Sequence, residues 1–214
     1  MVNYDARLSS LQKEFPYFSS RYDTKERFCS YWHQIDEAKS LKPNNILEIG
    51  IGNGFVSNYL KSRGVQLITL DIRKKLVPNI VGSVLEISCK DSVFDLVMCC
   101  EVLEHLPYVD FSRALTEIRR VSKSYSVLSV PDVTTVYPIY IGIPRLGEIK
   151  KLISHPFPKY ADHHFDGEHY WLIGKTGYSL KRIMNDIENS GFHILKTYRV
   201  FEWYYHRFFI LKKR

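Results

Sequence analysis

Three glycines at alternate positions form the part of this sequence with the clearest chemistry. Gly50, Gly52 and Gly54 directly follow Ile46-Leu47-Glu48-Ile49, an apolar run with the composition of a buried strand. Glycine allows a sharp backbone turn and lets a ligand approach without a Cβ in the way. A helix that begins near Phe55 would point its N-terminal amide groups toward the same ligand. We therefore predict a ligand-binding loop between a strand and a helix.

An acidic residue follows at the distance typical of a nucleotide-binding sheet. Asp71 ends the second apolar run, Leu67-Ile68-Thr69-Leu70, about twenty residues after the glycines. Nucleotide-binding α/β sheets place an acid at this point, where its two oxygens accept hydrogen bonds from neighbouring ribose hydroxyls. The two motifs together predict a cofactor that contains a ribose.

A third concentration of reactive side chains lies shortly before the C-terminal region. It holds three histidines and three acids: Asp162, His163, His164, Asp166, Glu168 and His169. We predict a loop that faces a substrate, with His169 as general base and His164 and Glu168 behind it, because histidine titrates near neutral pH. The same residues could bind a metal ion, but their spacing matches no established metal motif, and we predict none. A purely structural role for any one of them stays open.

Composition limits the class of protein. The 214 residues carry a net charge of +7, with 45% hydrophobic and 25% charged residues, as in an ordinary globular domain. No apolar run reaches the roughly 20 residues of a membrane span, and the N-terminus lacks the apolar core of a signal peptide. The basic residues are spread along the chain, so the charge does not predict nucleic-acid binding. Cys29, Cys89, Cys99 and Cys100 have no metal-type spacing, which indicates reduced thiols and a cytoplasmic protein.

Strands and helices alternate along most of the chain. After a helical segment over about residues 5–41, with Asp23 or Thr24 as N-cap, we predict strands at 45–49, 66–70, 80–81, 94–99 and 125–130. Helices are predicted near 54–62, 111–121 and 179–190. Near-continuous apolar strands between helices predict a parallel sheet covered on both faces. The last two apolar runs, 192–200 and 207–212, leave no room for a crossover helix and must pair antiparallel.

These motifs together resemble the class I S-adenosylmethionine-dependent methyltransferases of the type 11 group. The similarity is carried by the glycine loop, Asp71, Phe94-Asp95-Leu96-Val97, Glu101-Val102-Leu103-Glu104-His105-Leu106, Ser129-Val130-Pro131 and Ser190-Gly191-Phe192. It implies a Rossmann-like α/β fold with a seven-stranded, mostly parallel sheet and a C-terminal antiparallel hairpin. It also implies that the cofactor is bound by Glu48, Gly50, Ile51, Gly52, Gly54, Asp71, Ile72, Ser83, Val84, Cys100, Glu101 and His105.

Ser83 and His105 each allow more than one role in the site. The family commonly has an aspartate after the third strand to hold the adenine amino group, whereas this chain has Ser83, which hydrogen-bonds without a charge. Adenine binding would then rest more on the backbone near Ser83 and Val84 and on apolar walls. His105 either belongs to the catalytic group or braces its loop by hydrogen bonding, and the sequence does not separate the two roles.

A long connection interrupts the regular alternation after the fifth strand. Residues 1–43 form the predicted N-terminal helical segment and residues 44–214 the methyltransferase-like domain, with an insertion at about 133–165. A connection of this length commonly acts as a lid or binding segment. Within it, the spacing of Leu146, Ile149, Lys150, Leu152 and Ile153 predicts a short amphipathic helix that covers the acceptor or meets a partner.

The resemblance implies an enzyme that moves a methyl group from S-adenosylmethionine to an oxygen or nitrogen of a small-molecule or lipid- or glycan-linked acceptor. S-adenosylhomocysteine would be the product. Two alternatives remain: a non-catalytic S-adenosylmethionine-binding regulatory module and an NAD-dependent oxidoreductase. The oxidoreductase expects G-x-G-x-x-G, but Val56 or Ser57 stands where the later glycine would fall. The oligomeric state stays open, with a homodimer as one alternative.

Overall fold

The computed structural model describes residue 17 and residues 22–145, 147–157 and 160–214. Its first helix, α1, spans Lys25–Ser40 and begins after Thr24, whose Oγ1 accepts a hydrogen bond from the Arg27 amide at 3.3 Å. Thr24 is one of the two caps that the sequence predicts, and it satisfies an amide that the helix leaves unpaired. The part of the predicted helical segment before residue 22 lies outside the described residues, apart from Tyr17.

Strands and helices alternate after α1, as the apolar pattern predicts. The first half contains β1 Asn45–Ile49, α2 Phe55–Ser62, β2 Gln66–Asp71, β3 Ile80–Val81, β4 Phe94–Cys100, α3 Phe111–Val121 and β5 Ser122–Pro131. The second half contains β6 Val136–Ile143, β7 Gly147–Ser154, α4 Leu180–Asn189, β8 Phe192–Arg199 and β9 His206–Lys213. None of the helices in the described ranges is long and apolar enough to cross a membrane.

Seven of the strands form one sheet in the order β3-β2-β1-β4-β5-β9-β8. The first five are parallel to one another, and β9 pairs antiparallel with both β5 and β8. This confirms the predicted Rossmann-like sheet with its antiparallel C-terminal hairpin. The strand order reverses at β1, because β2 lies on one side of it and β4 on the other. In α/β sheets, ligands bind in the crevice at the carboxyl ends of strands beside such a reversal.

Both faces of the sheet are covered by helices. The buried cluster that contains Val97 and Cys99 of β4 also contains the apolar faces of α3 and α4. Leu96 and Met98 point to the opposite face and share a second cluster with α1 and α2. Successive strand residues face opposite sides of a sheet, so a strand covered on both sides is apolar at nearly every position. This packing is the physical reason that β4 could be read as a continuous apolar run.

The predicted amphipathic helix over residues 146–153 is wrong. This region forms a separate two-stranded antiparallel ribbon of β6 and β7, in which Ile143 pairs with Gly147. β6 is rich in β-branched and aromatic residues, which favour strands, and Arg145 and Gly147 adopt positive φ angles of 67° and 109° at the turn. Leu146 lies outside the described residues, and β7 contains the other four residues of the predicted helix, Ile149, Lys150, Leu152 and Ile153.

Candidate active site

A cavity of about 420 Å³ lies at the carboxyl ends of β1, β2 and β4. Its walls come from the glycine loop, the end of β2, the turn after β3, the loop after β4 and one face of α1. Two residue pairs from later in the chain, Glu168-His169 and Tyr205-His206, complete them. The predicted site residues that line it are Glu48, Gly50, Ile51, Gly52, Asp71, Ile72, Ser83, Val84, Cys100, Glu101, His105, Glu168 and His169. The sheet therefore brings the three chemical motifs of the sequence to one cavity.

Two predicted residues are placed elsewhere. Gly54 is the N-cap of α2, with a φ of 77°, and its amide donates to the Ile51 carbonyl at 2.8 Å. It closes the loop without lining the cavity. His164 is exposed and is not among the lining residues. His163, from the same loop, has its Nε2 3.0 Å from the His169 carbonyl and braces the loop instead.

The glycine loop uses its glycines for different purposes. Gly50 has a φ of 83°, and a Cβ on it would lie 2.3 Å from Cγ2 of Val102, so this position admits no side chain. Gly52 has a φ of 53°, and a Cβ there would meet nothing within 4 Å. Gly50 is therefore required by packing, whereas Gly52 keeps open the space into which a ligand can extend.

Asp71 connects the end of β2 to the glycine loop. Its carboxylate is nearly buried, at 7% exposure. Oδ2 accepts a hydrogen bond from the Ile51 amide at 3.0 Å, and Oδ1 accepts one from the Arg73 amide at 2.8 Å. Each carboxylate oxygen can accept a second bond, so Asp71 can hold the loop and still receive two hydroxyls. Ile72, at 70% exposure, forms an apolar rim next to it.

The turn after β3 forms the opposite apolar wall. Val84 is buried, and the Ser83 Oγ accepts a hydrogen bond from the Leu85 amide at 3.2 Å. The Ser83 hydroxyl keeps its own hydrogen to donate. The structure thus presents a neutral donor and a hydrophobic side chain where the family commonly has an acid.

Glu48 is a buried carboxyl with one oxygen that has no hydrogen-bond partner among the described residues. It lies on β1 directly before the glycine loop and is 5% exposed. The unpartnered oxygen is Oε2, which is itself buried. Burial raises the pKa of this carboxyl to about 8, because a low-dielectric environment disfavours the charged form.

Cys100 also lies in the cavity wall. Burial raises the pKa of its thiol, so Cys100 is a neutral residue of that wall.

A buried polar chain crosses the cavity next to Glu101. Glu101 Oε1 accepts a hydrogen bond from Ser129 Oγ at 2.7 Å, and its Oε2 lies 3.3 Å from His206 Nε2. His206 is 2% exposed, and its Nδ1 lies 2.8 Å from Ser30 Oγ. Burial raises the pKa of Glu101 to about 7 and lowers the pKa of His206 to about 3. This chain ties α1, β4, β5 and β9 together.

The two predicted catalytic histidines meet at the other end of the cavity. The rings of His105 and His169 are stacked, with centroids 5.1 Å apart and an angle of 26° between the planes. Their partners come from the same loop, since His105 Nδ1 lies 2.8 Å from the Glu168 carbonyl and His169 Nδ1 lies 3.3 Å from Asp166 Oδ2. Burial lowers the pKa of His105, which favours its neutral form.

Sequence reasoning missed the contribution of α1 and of Tyr22, which precedes it. Tyr22, Arg27, Tyr31 and Gln34 all line the cavity. The Arg27 guanidinium stacks on the Tyr22 ring, with its carbon 3.7 Å from the centroid, and donates to the Tyr22 hydroxyl at 2.8 Å. A signal was present in the sequence, because Arg27, Tyr31 and Gln34 follow the i, i+4, i+7 spacing of one helix face. Tyr205 and His206 were missed because they lie in an aromatic cluster that reads as hairpin core.

Comparison with known proteins finds a similarity to methyltransferases over part of this chain. Residues 47–130 match the family model described as a methyltransferase domain. A curated relative, the uncharacterized protein MJ0638 of Methanocaldococcus jannaschii, is 36% identical over 93 residues. That match covers 40% of this chain and 40% of the relative, so it spans less than half of either protein.

Two solved structures share the fold at low sequence identity. The 1,6-didemethyltoxoflavin-N1-methyltransferase of Burkholderia thailandensis, crystallised with 1,6-didemethyltoxoflavin and S-adenosylhomocysteine, has a TM-score of 0.60 and 13% identity, over 98% of this chain and 88% of that one. The magnesium protoporphyrin IX methyltransferase of Synechocystis, with bound S-adenosylmethionine, has a TM-score of 0.57 and 15% identity. The match covers 88% of this chain and 79% of that one. Residues 47–130 are therefore similar to a methyltransferase domain, and the two solved structures show that the whole chain shares the fold of these methyltransferases.

Proposed function

We propose that this protein transfers a methyl group from S-adenosylmethionine to an oxygen or nitrogen of a small-molecule or lipid- or glycan-linked acceptor and releases S-adenosylhomocysteine. The observation that carries this proposal is Glu48, a buried carboxylate with an unpartnered oxygen beside the glycine loop. A buried charge is stable only when it is paired. S-adenosylmethionine is cationic at its sulfonium and its ammonium group, so it can supply the missing partner.

The rest of the cavity fits the cofactor. Asp71 has acceptor capacity left for two ribose hydroxyls, and Gly52 leaves room for the ligand to pass close to the backbone. Ile72 and Val84 provide apolar surface for the adenine ring, and the Ser83 hydroxyl can donate to a ring nitrogen. We assign Gly54 to the shape of the loop, and Cys100 to the wall of the cavity.

The bound cofactor would supply an electrophilic methyl group, and the protein's residues would do the rest. Positioning an acceptor in line with that methyl group is the main contribution to the rate. For a hydroxyl acceptor a proton must also leave, and His169 and His105 are the two imidazoles that face the cavity. We assign proton removal to His169 and support of its ring to His105 and Glu168, whereas His164, which is exposed, has no direct part.

Two further parts of the proposal concern the acceptor and the compartment. The Burkholderia neighbour is named for methylation at N1 of a small heterocyclic molecule, which supports a small-molecule acceptor. The cysteines at positions 29, 89, 99 and 100 are free. Unpaired thiols are typical of a reducing compartment, which supports a cytoplasmic location.

Isothermal titration with S-adenosylhomocysteine tests the cofactor assignment. We expect saturable binding, and Asp71→Ala should weaken it by about 1.5–3 kcal/mol, the scale of hydrogen bonds to a charged group. Asp36→Ala is the matched control, because Asp36 is exposed on α1 and does not line the cavity. Binding of NAD without binding of S-adenosylmethionine or S-adenosylhomocysteine would overturn the proposal.

A further inference from the structure

The two stacked histidines share their end of the cavity with a buried acid. We propose that Glu104, His105 and His169 form a binding site for a divalent transition-metal ion. One ligand atom from each residue, a carboxylate oxygen and two ring nitrogens, lies within 4.8 Å of the others. The Tyr170 amide donates to the Glu104 carbonyl at 2.8 Å and holds the two segments together. This goes beyond the proposed function and changes the part of His169 in it: with an ion bound, its Nε2 is a ligand and the ion, not the imidazole, promotes loss of the acceptor proton.

The hydrogen bonds around the rings leave the correct nitrogens free. The Glu168 carbonyl and the Asp166 carboxylate only accept hydrogen bonds, so His105 and His169 must each carry a hydrogen on Nδ1. In a neutral imidazole the Nε2 lone pair is then available for a metal. Histidines that bind metal ions almost always donate their other N–H to a carboxylate or a backbone carbonyl. Both of these outer partners are in place here.

Glu104 is the third donor, a buried carboxyl that interacts with a second acid, Glu101, and that a cation would stabilise in its charged form. The residue is 1% exposed, and neither of its carboxylate oxygens has a hydrogen-bond partner among the described residues. Oε1 lies 3.9 Å from His105 Nε2, which is too far for a hydrogen bond. Buried carboxylates are normally paired or coordinate a metal ion. An ion between Glu104 and His105 would satisfy both groups.

The distances and donor types favour zinc or a neighbouring transition metal. Zinc lies about 2.0–2.2 Å from nitrogen and oxygen ligands, which places tetrahedral ligand atoms about 3.4 Å apart. Glu104 Oε1 and His105 Nε2 are 3.9 Å apart and all three ligand atoms lie within 4.8 Å, so the side chains would have to close in, and the two stacked rings would have to turn until both Nε2 lone pairs point at the ion. Two imidazoles and one carboxylate are a donor set used by zinc sites, and magnesium instead prefers oxygen ligands. The sequence showed no metal motif because the ligands come from two separate segments.

Three protein ligands would leave a coordination position open. Catalytic zinc sites have this composition, with the open position available to water or substrate. Both histidines and Glu104 line the cavity, so the open position would face the acceptor. An acceptor hydroxyl bound there would have a lower pKa and would pass its proton to a water molecule in the open cavity, while its oxygen takes the methyl group from the sulfonium. This last step rests on the proposed function, whereas binding of the ion does not.

Titration of untagged, chelator-stripped protein with Co²⁺ and Zn²⁺ tests the site directly. Visible absorption reports the coordination of Co²⁺, and calorimetry gives the stoichiometry and affinity of Zn²⁺. We expect one ion per chain and a loss of at least about tenfold in affinity for Glu104→Gln and for His169→Ala. Asp166→Asn should weaken binding by about 10–100-fold, because it alters the partner of a ligand and not a ligand. His193→Ala is the matched control, since His193 is exposed on β8.

The outcomes separate this proposal from the methyltransferase proposal. Each variant is also titrated with S-adenosylhomocysteine, and preserved binding shows that it is folded. Stoichiometric metal binding that is lost in Glu104→Gln but kept in His193→Ala supports the site, even if no acceptor is found. If the wild-type protein binds no ion, or if Glu104→Gln binds it equally well, the site is refuted and the Glu104 carboxyl is held neutral.

Discussion

Glu48 offers a direct test of the cofactor site, because its ionisation should be visible in the stability of the protein. Burial raises the pKa of this carboxyl to about 8 from the ordinary value of 4.5. Between these values the folded protein keeps the proton and the unfolded chain releases it. The folded state therefore holds more protons, and the free energy of unfolding must fall as the pH rises through this interval.

The size of the fall in the free energy of unfolding follows from the difference between the two pKa values of Glu48. A pKa difference of one unit corresponds to about 1.4 kcal/mol, so a rise from 4.5 to about 8 makes the total loss from Glu48 on the order of 5 kcal/mol once the pH lies above both values. Glu48→Gln is neutral in both states and nearly the same shape. The variant should therefore lack this loss, and its stability relative to the wild type should grow from pH 5 toward pH 8.

Urea unfolding over this pH range measures the effect. The free energy of unfolding of the wild type and of Glu48→Gln is compared at each pH, with Glu86→Gln as control because Glu86 is exposed. Equal pH dependence of the wild type and Glu48→Gln would refute the reasoning, since it would show that the Glu48 carboxyl ionises freely in the folded state. The same variant should also weaken binding of S-adenosylmethionine, because a neutral amide does not pair with a cation.

Three further predictions follow from individual contacts. Gly52→Val should weaken S-adenosylhomocysteine binding by at least about tenfold in calorimetry, whereas Gly50→Ala should lower the melting temperature first, because its Cβ would lie 2.3 Å from Val102. His169→Ala should leave cofactor affinity within a few-fold and lower turnover about 10²–10⁴-fold on a hydroxyl acceptor; unchanged turnover would exclude it as the base. Asp132→Ala should destabilise the fold by about 3–5 kcal/mol in urea unfolding, because Asp132 is 1% exposed and pairs with Arg207 at 2.6 Å; Asp36→Ala is the surface control.

The sheet could be predicted from the sequence because its signals are local. A strand such as β4 is covered on both faces, so burial alone makes it a continuous apolar run that is visible without a structure. The glycine loop and Asp71 could be predicted for the same reason, since backbone turns and strand ends depend on a few adjacent residues.

Features that depend on distant partners could not be predicted in this way. The β6–β7 ribbon was misread because β7 has an ambiguous spacing and acquires its identity only from pairing with β6. The Glu-x-x-Glu-His motif is visible in the sequence, but only the fold shows that Glu104 is buried beside His169 and that Glu101 faces His206. The spacing of Arg27, Tyr31 and Gln34 shows that they share one face of α1, but only the fold shows that this face lines the cavity.

The position of β9 in the sheet determines when the sheet can be completed during synthesis. β9 follows every other strand of the sheet in the chain, yet it lies between β5 and β8. While the chain leaves the ribosome, the edge of β5 stays open until residues 206–213 emerge, and open strand edges promote association with other chains. His206, which lines the cavity, is the first residue of β9 and is synthesised with it. A nascent chain therefore lacks both its last sheet contacts and a wall of its cavity, and sheet and site are completed in the same step of synthesis.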